Sequence, residues 1–378
     1  MQIRPGWIYR LTFLGAAALA TASIAAASSA WTFLIGTDTA TINPGAGSSA
    51  VYDADSNGMI VFGGVFGNNE NGVSLLSRAN GLGGTPQWTS LILNGAAGSP
   101  PARSGHSAVY DSINKRMIVF GGCGGGCLPA LNDVWVLANA DGTTGTPTWT
   151  QLSPFGTPPA PRVGHAAVYD PDTNSMIVFA GQNGGGVGGT YSDTWILSNA
   201  NGLGGTPVWT QLSPIGGPPP GQYGSSAVYG PVNNIMMVFG GGIQGNQVAS
   251  NAVWTLSHAN GQGGTPVWKN IAPEGMPGAP AKRYFHTAVY DRGSNRMTIF
   301  GGNVLGTVFN NAWVLINANG LGGTPTWKLL GPPSPLPALR ASHTAVYDAA
   351  SNRMTIFGGS GPEGTFWSVW VLTDANGR

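Results

Sequence analysis

The sequence predicts an all-β fold: a six-bladed β-propeller of four-stranded antiparallel blades, closed by an N-terminal strand that completes the last blade. Three observations predict it. First, Ala-Val-Tyr recurs with its Tyr at 52, 110, 169, 229, 290 and 347. Second, a Phe stands ten residues after each of these, at 62, 120, 179, 239, 300 and 357. Third, residues 31–378 amount to 348, which six repeats of 58 use completely. A period of this length marks a repeat architecture, in which each unit buries its faces against its neighbours.

Residues 1–30 stand outside the repeats. Arg4 and Arg10 are followed by an apolar stretch from Leu11 to Ala27 and by small residues before Trp31. This is the layout of a secretory signal peptide. The domains expected are therefore a signal peptide over 1–30 and one propeller over 31–378, secreted or periplasmic. An uncleaved anchor is the alternative, although the segment is short for one.

Each repeat then reads as four strands. Ala-Val-Tyr opens the first. The second is a short apolar run such as Met117-Ile118-Val119-Phe120, followed by Gly-Gly in five copies and by Ala180-Gly181 in one. The third carries Trp135, Trp195, Trp254, Trp313 or Trp370, with Ser74 in copy one. The fourth carries Trp88, Trp149, Trp209, Trp268 or Trp327. Asn-Gly pairs such as Asn201-Gly202 and Asn260-Gly261 are turn signals between the third and fourth strands. The last copy ends where its fourth strand is due, and Trp31-Thr32-Phe33-Leu34 resembles Trp149-Thr150-Gln151-Leu152. The N-terminal segment is thus expected to complete blade six, since an open ring would expose strand edges.

Composition agrees. The 61 Gly and 28 Pro supply frequent turns, while 42% hydrophobic and 10% aromatic content supplies a core, so the chain is not disordered. Only 8% is charged and the formal net charge is +1, which gives no basic surface for nucleic acid.

The runs Met117-Ile118-Val119-Phe120-Gly121-Gly122, Asn132-Asp133-Val134-Trp135 and Trp149-Thr150 resemble those of kelch-repeat propellers, in the galactose oxidase central-domain-like superfamily. So do the approaches to the first strand, Arg103-Ser104-Gly105-His106 and Arg162-Val163-Gly164-His165. The third-to-fourth hairpin is longer than the family's usual one.

Loop lengths distinguish the two faces. First-to-second and third-to-fourth turns are near constant, whereas second-to-third and fourth-to-first connections vary. The variable pair emerges on one side of an up-and-down blade, and loops on a rigid scaffold are where binding residues concentrate. That face carries Phe66, Asn68, Asn69, Gln182, Asn183, Tyr191, Gln244, Asn246, Gln247, Phe309, Asn310, Phe366 and Trp367. Aromatic rings with amides suit sugar rings, whose faces stack while their hydroxyls pair. Loop geometry alone is the alternative explanation for the Asn and Gly.

Arg103, Arg162, Arg283 and Arg340 share one repeat position, and His106, His165, His286 and His343 share another. Gly45 and Ser48 replace them in copy one, Gln222 and Ser225 in copy four. Both sets should gather near the channel mouth, where four arginines could hold carboxylate or sulfate groups. Tyr284 lies between Arg283 and His286. The alternative is that these side chains tie strands to neighbouring blades. Copies of one position are spread around a channel, so the histidines are not expected to bind metal. Cys123 and Cys127 are expected to form a disulfide.

Resemblance to galactose oxidase raises a copper site of tyrosines, histidines and a thioether-linked cysteine; Phe285-His286 is the nearest match, and no lone cysteine remains, so copper is disfavoured. No other catalytic constellation stands out. The expectation is an exported, monomeric binding or scaffold module for carbohydrate or protein, with no cofactor and no nucleic-acid partner. A secreted propeller enzyme, an oxidase or glycan-active enzyme, is the alternative.

Overall fold

Apolar runs of five residues between Gly-rich turns are too short for helices and become strands. The computed structural model describes residues 29–34, 37–38, 45–184, 189–243 and 248–378. The signal segment through residue 28, and Gln244, Asn246 and Gln247, lie outside the described residues. Among the described residues six sheets of four or five strands form the blades, each built outward from an inner first strand, and three two-stranded sheets stand beside them. The first strands are Ser49–Asp53, Ser107–Asp111, Ala166–Asp170, Ser226–Gly230, Thr287–Asp291 and Thr344–Asp348. Consecutive first strands lie side by side around the centre. Among the described residues no helix is long and apolar enough to cross a membrane.

The second strands Ser175–Phe179 and Ile235–Phe239 are buried at every residue, because both faces are covered by neighbouring blades. Each blade boundary is cemented by one aromatic pair. The Phe that ends a second strand packs on the fourth-strand Trp of the next blade: Phe62–Trp149, Phe120–Trp209, Phe179–Trp268, Phe239–Trp327, Phe300–Trp31 and Phe357–Trp88. Their centroid distances lie between 4.8 and 5.0 Å. This is the reason for the invariant interval from Tyr to Phe and for the Trp of each fourth strand.

Blade six is completed from the N-terminus. Trp31–Leu34 pairs antiparallel with Val369–Leu372, with Trp31 opposite Leu372 and Leu34 opposite Val369. Trp31 is buried and occupies the place that Trp149 holds in blade two. Burying an indole of this size contributes about 4–6 kcal/mol as an upper value, comparable with the ~5 kcal/mol cost of closing so long a chain. Thr37–Asp38 then pairs in parallel with Gln87–Trp88 and gives blade one a fifth strand, which the repeat pattern does not announce.

The long third-to-fourth hairpins form a belt on the uniform face. Asn201 Nδ2 donates to Asp111 Oδ2 of the preceding blade at 2.6 Å, and Asn260 to Asp170 and Asn376 to Asp291 in the same way. Asn80 donates to Asp348 at 2.7 Å, which carries the belt across the closure between blades six and one.

Candidate functional site

On the opposite face, one residue of each fourth-to-first connection turns into left-handed backbone. These are Gly47, Gly105, Gly164, Gly224, Phe285 and Ser342, with φ between 53° and 72°. Their main chains form a closed circle. Gly105 N–H donates to Gly47 O, Gly164 to Gly105, Gly224 to Gly164, Phe285 to Gly224, Ser342 to Phe285 and Gly47 to Ser342, at 2.7 to 2.9 Å. Four copies are glycine, which takes this conformation without strain. Phe285 and Ser342 adopt it at a cost of roughly 1–2 kcal/mol each, offset by the cyclic hydrogen bonds. A Cβ on Gly224 would stand 2.8 Å from Phe285 Cδ1, so this glycine also makes room for the aromatic ring.

This circle floors a depression of about 380 Å³ at the channel mouth. Its wall draws on fourth-to-first residues such as Ser48, Ser104 and Ser225 and on second-to-third residues such as Val65 and Gln182. The two variable connections therefore do share one side. Tyr223, Tyr284 and Phe285, all half-buried, form a cluster at the boundary of blades four and five, with ring centroids 5.2 to 5.7 Å apart. Phe66 and Trp367 make a second pair, edge to face at 4.8 Å, and are 40% and 52% exposed.

The four arginines are not displayed in the depression. All are at most 1% exposed. Each donates Nε to the carbonyl two residues earlier and Nη1 to the carbonyl following the second strand, as Arg103 does to Pro101 and Gly121. Arg103 and Arg162 add bidentate ion pairs to Asp133 and Asp193 at 2.7 to 2.9 Å. The carboxylates also accept from Trp135 and Trp195 Nε1. Burial opposes ionisation of Asp133 and Asp193, but the hydrogen bonds and charge of the arginines outweigh it and hold both carboxyls below their ordinary value. Arg283 and Arg340 meet Asn311 and Ser368 instead, and burial lowers both guanidinium pKa values to about 10.

Tyr191, Phe309 and Phe366 cover these guanidinium groups. Their ring centroids lie 4.5, 4.4 and 4.6 Å from the Cζ of Arg162, Arg283 and Arg340. Three of the four arginines are thus each stacked against one of the aromatics read from the sequence. Trp367 stands apart from these pairs, against Phe66.

His106, His165, His286 and His343 line the depression but are buried. Each shares a hydrogen bond through Nε2 with the hydroxyl that begins the previous blade's first strand: Ser49, Ser107, Ser226 and Thr287, at 2.7 or 2.8 Å. Burial, followed by the nearby arginine charge, pushes His106, His165 and His343 down to about 3; His286 is also held well below its ordinary value. Where Ser225 replaces the histidine in copy four, the facing residue is Ala166, which has no hydroxyl to offer. Cys123 and Cys127 are disulfide-bonded, and Cys127 reaches the wall of the depression. Among the described residues no group of three or more His, Cys, Asp or Glu is placed to hold a metal ion.

Phe285 lines the depression and Tyr223 packs against it; neither was read from the sequence as a binding residue. Their signal was a departure from the repeat: Tyr223 and Tyr284 stand where the other four copies have Ala46, Ser104, Val163 and Ala341, and Phe285 where four copies have Gly. Asp133 and Asp193 were also missed as arginine partners. Copies one and four lack arginine and aspartate together, having Gly45 with Gly72 and Gln222 with Ala252.

Comparison with known proteins points the same way as the geometry. A family profile described as the KLHDC2/KLHL20/DRC7 Kelch-repeats domain matches residues 23–199, 139–275 and 204–320. The chain is 31% identical over 336 residues to Adagio-like protein 1 of Oryza sativa subsp. japonica, covering 85% of this chain and 48% of that protein. It is 32% identical over 222 residues to Kelch repeat-containing protein 2 of Saccharomyces cerevisiae, covering 57% of this chain and 23% of the relative. It therefore spans less than half the length of either. Among solved structures, one titled Structure of YjhT superposes with a TM-score of 0.62 at 16% identity, covering 90% of this chain and 96% of that one, a likeness of fold.

Proposed function

Because the chain belongs to the kelch-repeat family, whose fold serves as a binding or scaffold module, we propose that it is an exported binding module taking a saccharide in the central depression. The observation that carries this reading is that Phe285, half-buried and packed against Tyr223 and Tyr284, lines the depression together with Ser48, Ser104 and Gln182. A pyranose offers apolar C–H faces to such rings and hydroxyls to such polar groups. A depression of about 380 Å³ falls in the range of small-ligand sites. Export rests on the apolar leader of residues 11–27 after Arg4 and Arg10.

The exposed Phe66–Trp367 pair favours a second reading, a protein partner, because aromatic anchors of this kind are enriched in protein interfaces. A glycan array with the full chain, Phe285→Gly and Trp367→Ala separates the two. The saccharide reading expects specific binding that falls about tenfold in Phe285→Gly, the equivalent of ~1.4 kcal/mol, and persists in Trp367→Ala. A blank array overturns it and leaves the protein partner. Recovery of the mature chain outside the cytoplasm, with its N-terminus near residue 28 or 31, tests export.

A further inference from the structure

The boundary between blades six and one is built unlike the other five. At each of those, the third-strand Trp packs in one cluster with the Phe that ends the preceding blade's second strand: Trp135 with Phe62, Trp195 with Phe120, Trp254 with Phe179, Trp313 with Phe239 and Trp370 with Phe300. In blade one the position is Ser74. Its neighbours across the sheet are Val61 and Ser90, where blade two sets Val119 and Gln151 beside Trp135. Two large side chains are thus replaced by two hydroxyls. A cavity of about 280 Å³ remains, lined by Ser74, Ser90 and Phe357 of blade six.

The cavity also carries a charge. Glu70 lines it and is buried, at 7% exposure. Glu70 stands four residues before Ser74, the place that Tyr191, Phe309 and Phe366 hold before Trp195, Trp313 and Trp370. Those three rings lie 4.4 to 4.6 Å from a guanidinium carbon, so this position faces a cation in blades three, five and six. Blade one has Gly45 where those blades have arginine. The indole and the guanidinium of the repeat are therefore both gone from blade one, while the residue at the cation-facing position has become a carboxylate. A carboxylate so withdrawn from water favours a positively charged partner.

We infer that this cavity binds a small aromatic amine, with its ring beside Phe357 in the place of the absent indole and its ammonium group against Glu70. Val61, Ile92 and Phe357 give the ring an apolar surround, and an apolar cavity of only about 150 Å³ already admits benzene. Ser74 and Ser90 offer hydroxyl oxygens to N–H groups. The way in is open: Leu93 and Asn94 at the mouth are exposed, and Trp135, Trp254, Trp313 and Trp370 at the equivalent places are only half-buried. Among the described residues the cavity shares no lining residue with the central depression, and the site stands whether or not a saccharide binds there.

The test is isothermal titration calorimetry of the full chain with tryptamine, indole and indole-3-acetate, which share a ring and differ in charge. Tryptamine should bind with a dissociation constant below about 1 mM. Indole should bind more weakly, and the anionic indole-3-acetate at least about tenfold more weakly than tryptamine. Glu70→Gln should weaken tryptamine about tenfold and indole by less than about twofold. Ser74→Trp, which installs the repeat's own indole, should abolish binding of all three. Failure of tryptamine to bind overturns the site. So does equal affinity for indole-3-acetate, or binding unchanged in Ser74→Trp, which would put the amine elsewhere on the molecule. If Ser74→Trp does not fold, crystals of the natural chain soaked in 5-bromotryptamine decide. An anomalous peak between Ser74 and Phe357 supports the site, and its absence refutes it.

Discussion

Acid should loosen this propeller well above the pH at which its carboxylates protonate. Four histidines sit at blade boundaries, buried and neutral, each sharing a hydrogen bond with the neighbouring blade. In the native chain His106, His165 and His343 titrate at about 3, against an ordinary 6.5. The unfolded chain therefore binds more protons than the native one as pH falls below 6.5. Stability is complete above that value and declines toward 3. Between pH 7 and pH 5 each of the three loses about 2 kcal/mol, or roughly 6 kcal/mol together, from 1.36 kcal/mol per pH unit. At roughly 1.5 °C per kcal/mol for a chain of this size, the midpoint should drop by about 9 °C. Asp133 and Asp193, whose native pKa values are lowered, keep their contribution until the pH falls below about 4, so they do not act in this window. The assay is scanning calorimetry from pH 7.5 to 4.5, repeated with His106→Gln, which should flatten the slope by about a quarter, since His286 contributes in the same direction. A midpoint constant to within 2 °C between pH 7 and pH 5 would refute the burial and neutrality of these histidines.

Other perturbations report on other parts of the ring. Trp31→Ala removes the indole from Phe300 and should cost about 3–5 kcal/mol in chemical denaturation, while Thr32→Ala on the same strand, whose side chain is exposed, should change stability by less than about 0.5 kcal/mol. Asp133→Asn imposes on blade two the arrangement of blade five and should destabilise by about 2–4 kcal/mol, because it strands a buried guanidinium; no change in the urea midpoint would count against the ion pair. Native, unreduced protein should show no reactive thiol with Ellman's reagent, and two would contradict the Cys123–Cys127 bond.

Much of the fold was legible because a propeller repeats its contacts as well as its residues. The Phe ten positions after each Tyr and the fourth-strand Trp meet across every blade boundary, so the spacing carries the packing. The N-terminal Trp31 could be placed in blade six for the same reason. The longer third-to-fourth hairpin looked like a departure from the family, yet Asn80, Asn201, Asn260 and Asn376 use it to reach the preceding blade's aspartate.

The site was harder to read. A position that repeats around the ring reports what the scaffold needs, and the arginines and histidines turned out to be committed to blade ties. What marks the depression is a break in the repeat, Phe285 in place of glycine, with Tyr223 packed against it. Whether the guanidinium groups face inward or outward depends on the strand's lean and on which ring covers them, and neither follows from spacing. The pairing of Arg103 with Asp133 was visible only as a shared absence in copies one and four.

The account depends above all on closure of the ring by the strand that begins at Trp31. The most direct measurement compares urea unfolding of the mature chain with that of a chain beginning at Thr37. Loss of the strand uncovers the edge of Val369–Leu372 and one face of Phe300, so the shorter chain should aggregate or unfold at markedly lower urea. If both chains unfold at the same urea concentration with the same cooperativity, closure by this strand does not hold.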